Sequence, residues 1–268
     1  MVARNVWAPF HGVRARFGTT STETFDRCRL YAPRLRSGQA FSHETAAALW
    51  GMPVPQRPGA GTLHVSAAPP SREPRTVGVV GHRIAMNAED TTTVAGLPVT
   101  TPVATSAHLA GSLSEHALVG IGDWLLARGI PKATLEATVA EFTGRGSVIL
   151  RRAVERVRPG VESPRETAVR LVLVDAGLPE PSLNWTLHSN GRFVARLDMA
   201  YRDYRVAVEY DGRHHALDEQ FRRDADRWRA IGAAGWILVR IVSHHMESPE
   251  RDIVDPVRRA LASRGWSP

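Results

Sequence analysis

The chain has 268 residues, enough for two domains, and its 43% hydrophobic and 23% charged content excludes a disordered or fibrous polymer. No run of about 18 apolar residues is present, so no transmembrane helix is expected, and the single cysteine, Cys28, excludes an internal disulfide and a cysteine-based metal cluster. The formal charge is +7 and the pI about 10.5, and only Lys132 among the 34 basic residues is a lysine. Arginine grips phosphate through two donors at once, which points to a nucleic-acid partner, although a genomic bias toward arginine gives the same ratio.

The charge is uneven: residues 1–162 hold 18 basic and 12 acidic residues, a net +6, and residues 163–268 hold 16 and 15, a net +1. A field steering a polyanion would come from the first part. The opening stretch MVARNVWAPFHGVRARFG lacks the apolar core of a secretory signal, so a cytoplasmic location is the expectation.

Along the chain, a short helix is predicted near 23–31. A second is capped by Ser42, runs to Trp50 and is stopped by Gly51 and Pro53. It suits a helix-turn-helix or an ordinary packing helix. LHVSA (63–67), VGVVGHRI (77–84) and GLPVT (96–100) read as strands. Helices follow near 102–111, 114–128, 132–143 and 147–158, with Leu109, Leu118, Val119, Leu125 and Leu126 as core residues. Pro159–Gly160 marks the domain boundary. The predicted domains are 1–158, with a subdomain split near 75–95, and 161–268. In the second, a helix over 163–176 stops at Gly177. NWTLHS, FVARLDMAY and YRVAVEY read as strands, with turns at 188–191 and 201–204. An amphipathic helix over 217–234, the short apolar strand GWILVRIV, read as buried, and a helix over 249–263 complete the order α-β-β-β-α-β-α. That pattern is an α+β fold with a mixed sheet flanked by helices.

The chemistry gathers on the strands. Asp198 ends one apolar strand and Glu209 the next. Asp211 falls on the same face as Glu209, Gly212 permits a turn, and His214 and His215 follow. Carboxylates at neighbouring strand ends repel and resist burial, and a divalent cation relieves both costs. Oxygen donors suit magnesium or manganese, and such an ion can hold a phosphate beside a water. A histidine there can move a proton. Taken singly, His43, His64, His82, His108, His116 and the His244/His245 pair show no zinc-ligand spacing and read as structural or exposed.

The segments EYDGRHH and RRDADRWRAIGAAGWILVRI resemble the Vsr-like endonuclease branch of the PD-(D/E)XK nuclease superfamily. The features carrying the resemblance are Ser163/Pro164/Glu166, Asp198, Glu209/Asp211/Gly212/His215, Asp224/Arg227 and Gly235/Trp236/Leu238/Arg240, over about 161–245. The resemblance implies a restriction-endonuclease-like sheet, with Asp198 as the central ligand of Mg2+ (or Mn2+) and Glu209 as the second acid. Asp211 and His215 would line the reacting phosphate, Glu166 would reach in from the first helix, Arg227 would brace an acid or a phosphate, and Arg213, His214 and Arg227 would contact the nucleic acid. The superfamily's lysine is absent here; Vsr-type members also lack it and use histidine. Glu166 has a rival reading, because Ser163-Pro164-Arg165-Glu166 is itself a capping box. Asp224 and Arg227 at i, i+3 also read as a surface ion pair.

FSHETAAALWGMPVP, GLPVTTPVATSAHLAG and VGIGDWLLARG resemble the AbiEi-type antitoxin or transcriptional-regulator modules that precede such domains, which implies a winged-helix-like DNA-binding region. The expectation is a metal-dependent DNA endonuclease or nickase acting on double-stranded DNA, with no membrane partner. The alternatives are a non-catalytic DNA-binding regulator that retains a nuclease fold, and an RNA-directed nuclease. The lack of an aromatic ladder for single strands favours duplex DNA.

Overall fold

The computed structural model describes residues 6–16, 23–55, 61–212 and 218–268. The chain divides into two units, Met1–Val157 and Arg158–Pro268. Among the described residues it is a mixed α+β protein, with nine α-helices and three sheets that combine parallel and antiparallel pairings.

The first unit opens with β1 (Val6–Trp7) and β2 (Ala15–Arg16), a short antiparallel ribbon, followed by α1 (Thr24–Tyr31). Then come β3 (Gln39–Phe41), α2 (His43–Trp50), β4 (Leu63–Ala67), β5 (Val79–Arg83), β6 (Thr91–Val94) and β7 (Leu97–Thr100). The strands form one five-stranded sheet in the order β5-β4-β3-β7-β6. Phe10, Cys28, Tyr31, Phe41, Leu63, Val65 and Val99 form its core. Gly51 ends α2 in the left-handed region at φ 66°, which a glycine adopts without a Cβ penalty.

The region 75–95, where a subdomain split was expected, is spanned by one sheet, to which both β4 before it and β7 after it belong. The sheet combines antiparallel pairs, β3 with β4 and β6 with β7, with parallel pairs, β3 with β7 and β4 with β5. The strands β3 (QAF) and β6 (TTTV) were not predicted. Three residues, or four with no apolar alternation, carry too little pattern to read.

The rest of the unit is helical: α3 (Pro102–Leu109), α4 (Glu115–Leu126), α5 (Lys132–Glu141) and α6 (Ser147–Arg156). Thr101 and Ser114 cap α3 and α4 by accepting the N–H groups of Ala104 and Ala117. Leu109, Leu118, Val119 and Leu125 are buried as expected, and Leu126 is partly exposed.

The second unit comprises α7 (Pro164–Asp175), β8 (Ser182–Ser189), β9 (Arg192–Tyr201), β10 (Val206–Asp211), α8 (Asp218–Ala233), β11 (Ile237–Val242) and α9 (Asp255–Ala262), the last preceded by a π-helical turn, Glu250–Val254. The sheet order is β11-β10-β9-β8. β8, β9 and β10 form an antiparallel meander, and β10 pairs with β11 in parallel, with α8 as the crossover helix. Asn190 and Gly191, both at positive φ, make the tight turn between β8 and β9.

Successive residues of β10 face opposite layers. Val206 and Val208 pack with Val169 and Leu173 of α7 and Val257 and Leu261 of α9. Ala207 packs with Leu197, Trp236 and Ile231 of α8. The expectation of a buried GWILVRIV strand is corrected. β11 is an edge strand in which Ile241 is fully buried and the other positions are half-buried or exposed. Ile237, Val239 and Ile241 pack on the face of α7 and α9 and Leu238 on the face of α8, so the apolar run serves both layers while the edge position leaves most of it half-exposed.

Candidate functional site

The β9–β10 pairing ends at Val208↔Met199, so the next residues on the two strands are Glu209 and Asp198. These are the two acids singled out in the sequence, and the antiparallel register makes them cross-strand neighbours. The Tyr210 N–H donates to Asp198 Oδ2 at 3.0 Å. Glu209 is buried, and Arg227 of α8 reaches it with a two-pronged contact, Nη2 to Oε1 at 2.6 Å and Nη1 to Oε2 at 2.8 Å. The same guanidinium donates to the Arg196 carbonyl at 2.7 Å, so it ties α8 to both strands. Arg227 is thus engaged with Glu209 across to the sheet, beyond the i, i+3 pairing with Asp224 read from the sequence.

Asp211 is partly exposed and accepts from Arg240 Nη2 of β11 at 2.7 Å. The Arg240 guanidinium lies 3.4 Å from the Trp228 ring centroid, a cation–π contact that fixes its plane. Asp198, Glu209, Asp211, Asp224, Arg227 and Arg240 all line one cleft of about 500 Å3. Glu166 does not line it. Ser163 Oγ accepts the Glu166 N–H at 3.2 Å, and Glu166 Oε2 accepts the Glu162 N–H at 3.0 Å, so its first duty is to cap α7. It still lies close enough for the Asp198 charge to act on it. Arg213, His214 and His215 lie outside the described residues.

The acids titrate as a group held out of water. Burial pushes Glu209 up to about 7 against the opposing Arg227 charge, and the Asp198 charge raises it further. Burial also raises Asp198, against its hydrogen bond from Tyr210, and burial raises Glu166. Between pH 4.5 and 7 the folded protein therefore keeps the Glu209 proton that the unfolded chain releases. The folded state binds more protons there, so this group makes stability fall as pH rises through that window. We expect Glu209→Gln to flatten the fall, as measured by urea unfolding at both ends of the window. An unchanged slope would refute the assignment.

A magnesium or manganese ion fits the donor set. Asp198 and Glu209 offer hard carboxylate oxygens and nothing softer, and they open onto a cleft with room for water and phosphate, the usual surroundings of a cation held by one or two carboxylates. No third carboxylate closes a three-ligand group here among the described residues.

A second feature escaped the sequence reading. Arg34, Arg36, Arg72, Arg75 and Arg83 line a cleft of about 440 Å3 in the first unit, with Tyr31 and Gln39 in its wall. The five come from separate segments around α1, the β4–β5 connection and β5, so no basic run announces them.

Fold and site together define an α+β protein with an acid-lined cleft at a mixed sheet and an arginine-lined cleft in its first unit. The chain belongs to the family of two Mycobacterium tuberculosis proteins, Uncharacterized protein Rv2248 of strain H37Rv and Uncharacterized protein MT2308 of strain CDC 1551. Each is 32% identical over 220 residues, which span 80% of this chain and 74% of the relative. No family model matches the chain, and no solved structure matches it. No helix among the described residues is long and apolar enough to cross a membrane.

Proposed function

We propose that this protein is a metal-dependent DNA endonuclease or nickase whose reaction takes place in the cleft of the second unit. The observation that carries the reading is the cross-strand pair Asp198/Glu209 beneath Arg227. The resemblance of residues 161–245 to Vsr-like nucleases points the same way.

In this reading Asp198 and Glu209 hold Mg2+ or Mn2+, which when bound supplies positive charge to the scissile phosphate and acidity to a water. Arg227 holds Glu209 in place and sets a positive charge at the wall where a phosphate enters. Arg240, flattened on Trp228, orients Asp211. His215 takes the proton released as water attacks phosphorus and the ester oxygen leaves. One such site per chain cuts one strand at a time.

The arginine cleft supports duplex binding by charge in the first unit. Each phosphate contact releases counterions, so Arg36→Ala and Arg83→Ala are each expected to lower the slope of log affinity against log salt by about 1. A slope unchanged in both variants would remove this cleft from the interface.

The ion pairs Arg227–Glu209 and Arg240–Asp211 favour a second reading, a DNA-binding regulator whose acids serve the fold. Incubation of supercoiled plasmid and of a mismatch-bearing duplex with Mg2+, Mn2+ or EDTA separates the two. Metal-dependent nicking supports the enzyme. No cutting, together with no Mg2+- or Mn2+-dependent rise in melting temperature, supports the regulator.

A further inference from the structure

Four histidines from four separate elements meet in the first unit. His64 and Ser66 share one face of β4, and the parallel register sets Ser66 opposite His82 of β5, so His64 and His82 lie side by side with Nδ1 of one 3.0 Å from Nε2 of the other. His43, the first residue of α2, stacks on His82 with ring centroids 3.7 Å apart. His108, in the last turn of α3, stacks on His43 at 5.3 Å.

The backbone is bent to bring His43 there. Its φ is 50°, the left-handed region that a β-carbon disfavours, and such strain persists only where the surroundings enforce it. Ser42, predicted to cap α2, makes no side-chain cap; its hydroxyl accepts from Ser66 at 2.6 Å and sits 3.0 Å from His43 Nδ1. Glu44 Oε2 lies 3.3 Å from His64 Nδ1. Nδ1 of His108 is buried with no hydrogen-bond partner among the described residues, an expense that ordinary packing avoids.

We propose that His43, His64 and His82 bind a transition-metal cation of the zinc class, with the Glu44 carboxylate close beside His64. One nitrogen from each ring lies within 4.8 Å of the others. Zinc holds imidazole nitrogens at about 2.0–2.1 Å, which sets tetrahedral ligands roughly 3.3 Å apart, so small ring rotations close the site. Imidazole donors select zinc, cobalt, nickel or copper over magnesium. Neutral rings are the ones with lone pairs to donate. Glu44 lies against Nδ1 of His64, the nitrogen that also faces His82, and its negative charge beside the rings favours a cation there.

The test uses the full, tag-free chain stripped with EDTA. Zinc titration by calorimetry is expected to show one tight site per chain and a rise in melting temperature. His82→Gln and His43→Gln should abolish the uptake, and Glu44→Gln should weaken it about 10–100-fold. Asp198→Ala and the double variant His244→Ala/His245→Ala should keep it, which separates this site from the acidic cleft and from the other histidine pair. Cobalt added to wild type should give the visible bands of a nitrogen-ligated, four-coordinate ion, a readout that needs no variant to fold. Absence of those bands at one equivalent, or full zinc uptake in both histidine variants, would overturn the site. The outcome does not depend on whether the second unit cuts DNA.

Discussion

Asp198→Ala will lose metal-dependent cleavage by roughly 10²–10³-fold or more while DNA binding stays largely intact. A metal-held phosphate site contributes several kcal/mol to the transition state, and each 1.36 kcal/mol is tenfold in rate. The loss will not come from unfolding. Asp198 is a half-buried carboxylate that accepts the Tyr210 N–H, and burial already works against its charge. Alanine removes that cost and leaves the β9–β10 pairing at Val208↔Met199 and above untouched. The variant should unfold at the same urea concentration as wild type or slightly higher. It should also lower the Glu209 pKa, because the Asp198 charge is one of the influences that raises it. Asp198→Asn is the sharper control, since it keeps an oxygen for Tyr210 and loses only the charge. Cleavage of supercoiled plasmid by Asp198→Ala at the wild-type rate in Mg2+ would sink the assignment of this cleft as the reacting centre.

The acids could be read from the sequence because the information is local. FVARLDMAY and VAVEY alternate or run apolar up to Asp198 and Glu209, and a meander with short turns places them side by side. The bond from Arg227 to Glu209 was not legible in the same way. It depends on where α8 crosses the sheet, which the i, i+3 spacing to Asp224 does not encode, so an acid for Arg227 to brace came from the resemblance and not from the spacing. β11 misled for a related reason: an apolar hexamer looks the same at a sheet edge as at its centre. The first unit hid most. Its four histidines sit one to an element and meet only through the β4–β5 register and the bend at His43. The five arginines of its cleft are likewise dispersed. A serine before a helix, as at Ser42, reads as a cap, and only the structure reveals that its hydroxyl turns toward Ser66 and His43 instead.

Glu180→Ala is expected to destabilise the second unit by about 3 kcal/mol, and adding Arg170→Met to that variant should recover most of the loss. Arg170, on α7, is only 1% exposed, and its Nη1 donates to Glu180 Oε1 at 2.7 Å. The other carboxylate oxygen takes Arg158 Nη2 at 2.9 Å, so one acid binds two guanidiniums. A charge taken out of water costs several kcal/mol, and its partner's field offsets that cost. Removing Glu180 leaves the guanidinium buried against α7 without that field, and the price falls on the helix that packs Val169 and Leu173 beneath β9 and β10. The one-third exposure of Glu180 lets water relieve part of the penalty, which puts the expected loss at the low end of the range for broken buried pairs. Methionine at 170 fills similar volume and needs no counter-charge, so the double variant should regain stability that the single variant lost. Urea unfolding of the four members of this cycle measures it directly. If Glu180→Ala costs no more than a surface ion pair, below about 1 kcal/mol, then the Arg170 charge is held by its other neighbours and Glu180 is incidental to the support of the acidic cleft.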